Sequence, residues 1–88
     1  MSPARRYQVR LKASAEKELD RLPAQAAKRV IKALLSLESL PRRRGCKKLQ
    51  ATDAYRLRVG DYRLLYLVDD KARTVEVVAV AHRKDAYR

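Results

Sequence analysis

The stretch AYRLRVGDYRLLYLV, residues 54 to 68, constrains the fold more than any other part of this chain. Two runs of alternating apolar and polar residues flank Gly60-Asp61, a pair suited to a two-residue hairpin turn of type II′, which needs a positive φ at its first central residue. Such a turn sets the register: Val59 opposite Tyr62, Arg58 opposite Arg63, Leu57 opposite Leu64, and Arg56 opposite Leu65. One face then holds Tyr55, Leu57, Val59, Tyr62, Leu64 and Tyr66 and has to be covered by something apolar. The other holds Arg56, Arg58 and Arg63. Like charges directly across an antiparallel pair cost up to about 1 kcal/mol, so stability alone would not set Arg58 against Arg63. An anion between them removes the conflict; a sheet face turned to solvent is the alternative.

The neighbouring segments supply the rest of a sheet and its cover. After the turn DDKA, the run RTVEVVAVAH (Arg73 to His82) reads as a third strand antiparallel to the second. Its odd-numbered residues are expected in the core and its even-numbered ones beside Arg63, which makes His82 the last residue on the open face, with Arg83 and Tyr87 at the strand's exit. A slip of one residue would turn His82 into the core instead. Upstream, YQVRL (Tyr7 to Leu11) alternates as a first strand. Ser14 is placed to cap a short helix that buries Ala15, Leu19 and Leu22, with Glu16 and Glu18 near the positive end of its dipole. Pro23 suits the first turn of a second helix, in which Ala27, Val30, Ile31, Leu34 and Leu37 recur at helical spacing until Pro41 closes it. The polar face of that helix carries Gln25, Lys28, Arg29 and Lys32, either as a solvated surface or as a set of phosphate contacts. RRRGCKK, residues 42 to 48, has five cations and no periodicity, and reads as a loop. The expected architecture is α+β: an antiparallel sheet, made of an N-terminal strand and a C-terminal three-strand meander, packed against a two-helix hairpin.

With 88 residues the chain has room for one modest core, so residues 1–88 are expected to form a single domain. Its 22 Lys and Arg against 10 Asp and Glu give a net charge of +12, a field that favours a polyanionic partner. Nucleic acid is the first candidate. A membrane surface fits less well, because the cations are not gathered on one amphipathic helix, and an acidic protein partner is compatible with either. Arg42, Arg43, Arg44, Lys47 and Lys48 are candidate contacts to an RNA backbone. Cys46 stands alone, so neither an internal disulfide nor a cysteine zinc cage can form, and an inert thiol is the plain reading. The N-terminal residues lack the apolar stretch of a secretory signal, and no apolar run approaches the roughly 20 residues of a membrane span. A cytoplasmic protein is expected.

The residue set also limits the chemistry. Absent carboxylate pairs, metal-ligand clusters and an activated serine or cysteine, glycosidase, metallo-hydrolase and acyl-transfer reactions find no footing. Neither a metal nor a cofactor is expected. Arginines can neutralise charge developing on a phosphate, and a titratable His or Tyr can move a proton. With RNA the ribose 2′-OH is itself the nucleophile. A metal-independent endoribonuclease fits.

The order of elements, with YRLRVGDYRLLYLVDD and the closing VAHRKDAY, resembles the RelE toxins of type II toxin–antitoxin systems, within the wider RelE/ParE group, from about Tyr7 to Tyr87. That resemblance implies a ribosome-dependent mRNA interferase that cuts message in the ribosomal A site and is held inactive by a cognate RelB-like antitoxin, with ribosome, mRNA and rRNA as its other partners. By position it implies that Arg56 and Arg58 are the basic pair of the first hairpin strand, Arg63 and Arg83 the arginines that stabilise the transition state, and Tyr87 the terminal tyrosine that stacks on or orients the nucleotide. The family's first-strand pair is lysine, one of them a proposed general base, whereas arginine, with a pKa above about 12, is a poor one. His82, ordinarily near pKa 6.5, is the substitute proton carrier. Two other readings stay open: a ParE-like gyrase inhibitor of the same fold, and a basic RNA-binding module without catalysis.

Overall fold

A computed structural model describes residues 6–50 and 52–82. Five strands form one sheet: β1 (Gln8–Leu11), β2 (Cys46–Lys48), β3 (Ala54–Val59), β4 (Tyr62–Asp69) and β5 (Thr74–His82). Their order across the sheet is β1-β5-β4-β3-β2. Two helices, α1 (Ala13–Asp20) and α2 (Ala24–Ser36), follow β1 and cover one face.

The hairpin has the register that its turn dictates, with Val59 opposite Tyr62, Arg58 opposite Arg63, Leu57 opposite Leu64 and Arg56 opposite Leu65. Gly60 supplies the positive φ, at 59°. A Cβ built there would lie 3.2 Å from Nη1 of Arg29 on α2, which the flexible end of that side chain can yield, so it is the backbone that favours glycine. Gly60→Ala is expected to lower stability by roughly 1–2 kcal/mol, the usual penalty for a left-handed residue with a Cβ. Urea denaturation checks this, and an unchanged midpoint would refute it.

The helices follow the apolar spacing with three shifts. Val30, Ala33 and Leu34 of α2 are buried together with Leu37 just beyond it, and Ala15 of α1 is fully buried, against Leu57, Leu64, Tyr66, Val75, Val77 and Val80 of the sheet. Ile31, expected in this stripe, is 45% exposed. It sits one helical step, about 100°, round from Val30, and the small Ala33 takes the place against the sheet instead. The cap of α1 is Lys12, not Ser14. The Lys12 amide donates to the carbonyl of Val77, so sheet pairing holds Lys12 extended and obliges the helix to start directly after it. Pro23, expected just inside α2, is its N-cap, and its carbonyl accepts the Ala27 amide.

Three features of the sheet depart from the pattern expected from alternation. The pair β1·β5 is parallel, while the other pairs are antiparallel. Residues 46–48 form an edge strand against β3 rather than a loop, with Cys46 opposite Leu57 and Lys47 opposite Arg56. Most important, the β4·β5 register shifts between Leu65 and Tyr66. Below the shift Val75 and Val77 are the buried residues of β5; above it Val80 is, so the parity of the strand inverts. A bulge inserts one unpaired residue and has this effect on every side chain beyond it. His82 consequently lies opposite Tyr62, on the helix-covered side, and Ala81 takes the place opposite Arg63.

One cluster ties the end of α2 to the far end of the sheet. Arg42 donates through Nη1 and Nη2 to Asp70, at 3.0 and 2.8 Å, and through Nε to the Tyr55 hydroxyl at 2.8 Å. Tyr7 donates its hydroxyl to the same Asp70 at 2.6 Å. Behind them the buried Tyr66 stacks on Tyr55 and donates to the Pro41 carbonyl. These charge-assisted hydrogen bonds from Arg42 first, then Tyr7, hold Asp70 down at about 2 against its ordinary 3.8. A lowered carboxylate pKa adds stability above the unfolded-state value and loses it as the pH falls through the folded one. Arg42→Ala is therefore expected to lower the urea midpoint at neutral pH, with the gap from wild type closing between pH 3.8 and about 2. The pair is solvent-accessible, so the gap is small and shrinks in high salt. A gap that persists unchanged at pH 2 would show that Asp70 is not its source.

Candidate functional site

Alternation on β2, β3 and β4 puts four cations on the face turned away from the helices. Lys47 lies opposite Arg56, and Arg58 opposite Arg63. The apolar residues between them, Leu57 and Leu64, point into the core and are 1% and 0% exposed. Those anchors fix where the arginines emerge, because a strand cannot turn one side chain without turning its neighbours. Arg63 is itself only 7% exposed, so its guanidinium is largely withdrawn from water on a rigid central strand. A desolvated cation interacts far more strongly with an arriving anion than a solvated one does. Arg58 is exposed and reaches back to the Gly60 carbonyl, 3.5 Å from its Nε.

The other expected site residues are spread differently. His82 is half-buried on the helix side, with its ring edge-on to Tyr62 at 5.2 Å between centroids. It does not share the face of Arg58 and Arg63, for the reason given by the bulge. Arg83 and Tyr87 lie outside the described residues. Arg42 has its donors on Asp70 and Tyr55, so it serves the fold. Arg43 donates to the Ser36 hydroxyl at 2.8 Å and turns toward α2. Arg44, Lys47 and Lys48 are exposed.

A second feature was not expected from the hairpin. An open groove of about 440 Å³ runs between α2 and the β3–β4 turn, lined among others by Arg29, Lys32, Arg43 and Arg58. The signal for it was present in the polar face of α2, but the strand end that completes it could not be placed from sequence. Among the described residues, no group of three or more His, Cys, Asp or Glu side chains is arranged to hold a metal ion, and no helix is long and apolar enough to cross a membrane.

The chain has clear relatives. Residues 9–87 match the family described as the ParE toxin of type II toxin–antitoxin systems. Toxin RelG of Mycobacterium tuberculosis is 36% identical over 84 residues, which cover 93% of this chain and 97% of that protein. The toxin–antitoxin complex RelBE2 from the same organism superposes with a TM-score of 0.79 at 33% identity, over 89% of this chain and 99% of that one. An archaeal RelE–RelB complex from Pyrococcus horikoshii gives a TM-score of 0.81 at 31% identity, over 88% and 94% of the two chains.

Proposed function

The chain belongs to the RelE/ParE family of type II toxin–antitoxin toxins, and from that footing we propose that it is a ribosome-dependent mRNA endoribonuclease, restrained by a RelB-like antitoxin. The observation that carries the proposal is Arg58 set directly across from Arg63, with Arg63 withdrawn from water. An arrangement that costs stability and concentrates positive charge at one point of a rigid sheet suits a phosphodiester on which negative charge builds. In the proposed reaction the 2′-OH of one ribose attacks the adjacent phosphorus and gives up its proton to water, which supplies one to the leaving oxygen. The bond from phosphorus to the 5′-oxygen breaks, and that oxygen takes up a proton, leaving a 2′,3′-cyclic phosphate and a free 5′-OH. Arg63 stabilises the pentacovalent phosphate, Arg58 binds it from the facing strand, and Arg56 and Lys47 hold the flanking backbone. Arg83 and Tyr87 keep the roles that the family resemblance implies, the second phosphate arginine and the base-stacking ring. Arg44 and Lys48 remain as contacts to ribosomal RNA.

His82 takes a different part in this scheme. Packed edge-on against Tyr62 on the helix-covered side, it is a positioning residue that holds the turn end of β4 against β5. His82→Gln is expected to keep cleavage within about tenfold of wild type, with no change in the pH dependence of the rate, because a general base would contribute 10²–10⁴-fold or so. A flattened pH profile with a hundredfold loss would instead make His82 the base.

The test of the whole reading is to map message 5′ ends in a purified translation reaction with the protein added, with and without ribosomes. Cuts confined to A-site codons, and present only with ribosomes, are expected. Since the matching family is described by its ParE members, a gyrase supercoiling assay belongs beside it: inhibition there with intact message would replace the ribonuclease reading.

A further inference from the structure

The groove between α2 and the hairpin turn is lined by four cations, and the nearest carboxylate on the turn, Asp61, lies outside it in an adjoining hollow shared with Arg29. Arg29 and Lys32 project from the exposed face of α2, Arg43 is drawn in by its bond to Ser36, and Arg58 comes from the strand. Among the described residues that line the groove none is acidic, and no carboxylate there forms an ion pair with these four. Charge of one sign around a concavity raises the local concentration of the opposite ion.

Topology then links this groove to the face of Arg58 and Arg63. Strand β2 pairs with β3 only as far as Cys46 opposite Leu57. At the next residue, Arg58, β3 has no strand partner on that side, and an RNA strand held between Arg58 and Arg63 that continues past this edge reaches the groove. Arg58 belongs to both surfaces.

We propose that the groove lined by Arg29, Lys32, Arg43 and Arg58 binds backbone phosphates of an RNA strand beyond the nucleotide at Arg63, as a second and separate anchoring site. The proposal rests on the ribonuclease reading for the identity of the polyanion. Its favoured ligand is a phosphodiester backbone rather than an acidic protein, because the same arginine serves both surfaces and a continuous strand of evenly spaced charges can engage both at once. Two sources share that chemistry, the message itself and ribosomal RNA.

The experiment pairs Arg29→Ala/Lys32→Ala with Lys17→Ala/Lys71→Ala, a control that removes equal charge from exposed positions away from the groove. Both proteins are first shown by circular dichroism to fold as wild type does. Binding to a fluorescent single-stranded RNA oligonucleotide with 2′-O-methyl riboses, which cannot be cut, is followed by anisotropy across a salt series. Binding to 30S ribosomal subunits without message is measured by co-sedimentation. If the groove holds two phosphates, the slope of log K against log salt on the oligonucleotide falls by about 1.4, at 0.7 per contact, in the groove variant only. An affinity loss on the order of tenfold is expected with it. Loss on the oligonucleotide assigns the groove to message, and loss confined to 30S subunits assigns it to ribosomal RNA. Equal behaviour of groove and control variants on both ligands overturns the proposal, as does loss of antitoxin binding with both RNA ligands unaffected. Cleavage by the wild-type protein is scored separately, so failure of the ribonuclease reading would show there and not in these binding curves.

Discussion

Arg63→Ala is expected to slow message cleavage on the ribosome by on the order of 10²–10³-fold, the usual consequence of removing one preorganised donor from a developing negative charge. The expectation rests on placement. Arg63 stands on central strand β4 between β3 and β5, 7% exposed, with the fully buried Leu64 locking its direction. Such a group needs no reorganisation when charge develops, which is where electrostatic catalysis gains most. Single-turnover cleavage with the protein in excess over ribosomes is the measurement, accompanied by a urea midpoint for the variant. Arg63→Lys should recover part of the rate, since a point charge remains while the two-pronged hydrogen bond to phosphate is lost. Wild-type cleavage in Arg63→Ala would remove Arg63 from the site; loss of the fold together with activity would leave Arg63→Lys as the deciding variant.

The largest effect on stability is expected from Leu64→Ala. Leu64 is fully buried between Leu57 on β3 and Val80 on β5, where the sheet meets the helices. Truncating it removes buried methyl groups and leaves a cavity, at a cost of about 2–5 kcal/mol. For a small domain whose total stability is about 5–15 kcal/mol, that is a large fraction of the whole. Leu67 on the same strand is 37% exposed, on the opposite face, and Leu67→Ala should cost well under half as much. Comparable midpoints for the two variants would mean that the helices do not cover the face of Leu64 as described.

Local rules carried the hairpin. An alternating run on each side of a glycine turn leaves a single register that puts Tyr55, Leu57, Val59, Tyr62, Leu64 and Tyr66 on one face, and Arg58 therefore had to meet Arg63. The same rule failed in β5. There the buried residues are Val75, Val77 and Val80, spaced two and then three apart, with Val78 unpaired at the step and alanines at 79 and 81. The three-residue step is the trace of a bulge, yet small alanines sit as easily on either face and do not announce which side they take. Edge strand β2 was hidden for a similar reason: in three residues, two of them lysine, no period can be read, and pairing with β3 alone makes it a strand.

The sequence by itself determined the class of fold, the covered face of the hairpin, the arginines on the opposite face, and a strongly basic surface, because each follows from period, turn chemistry or charge within one short segment. Tertiary structure alone decided which cations are available. Arg42 is drawn to Asp70, 28 residues away, and Arg43 to Ser36, while Arg29 and Arg58 come to line one groove only through the packing of α2 over the turn. It also decided the side on which His82 stands, through one unpaired residue in β5. Contacts between segments distant in sequence depend on how whole elements pack, and no local pattern contains that information.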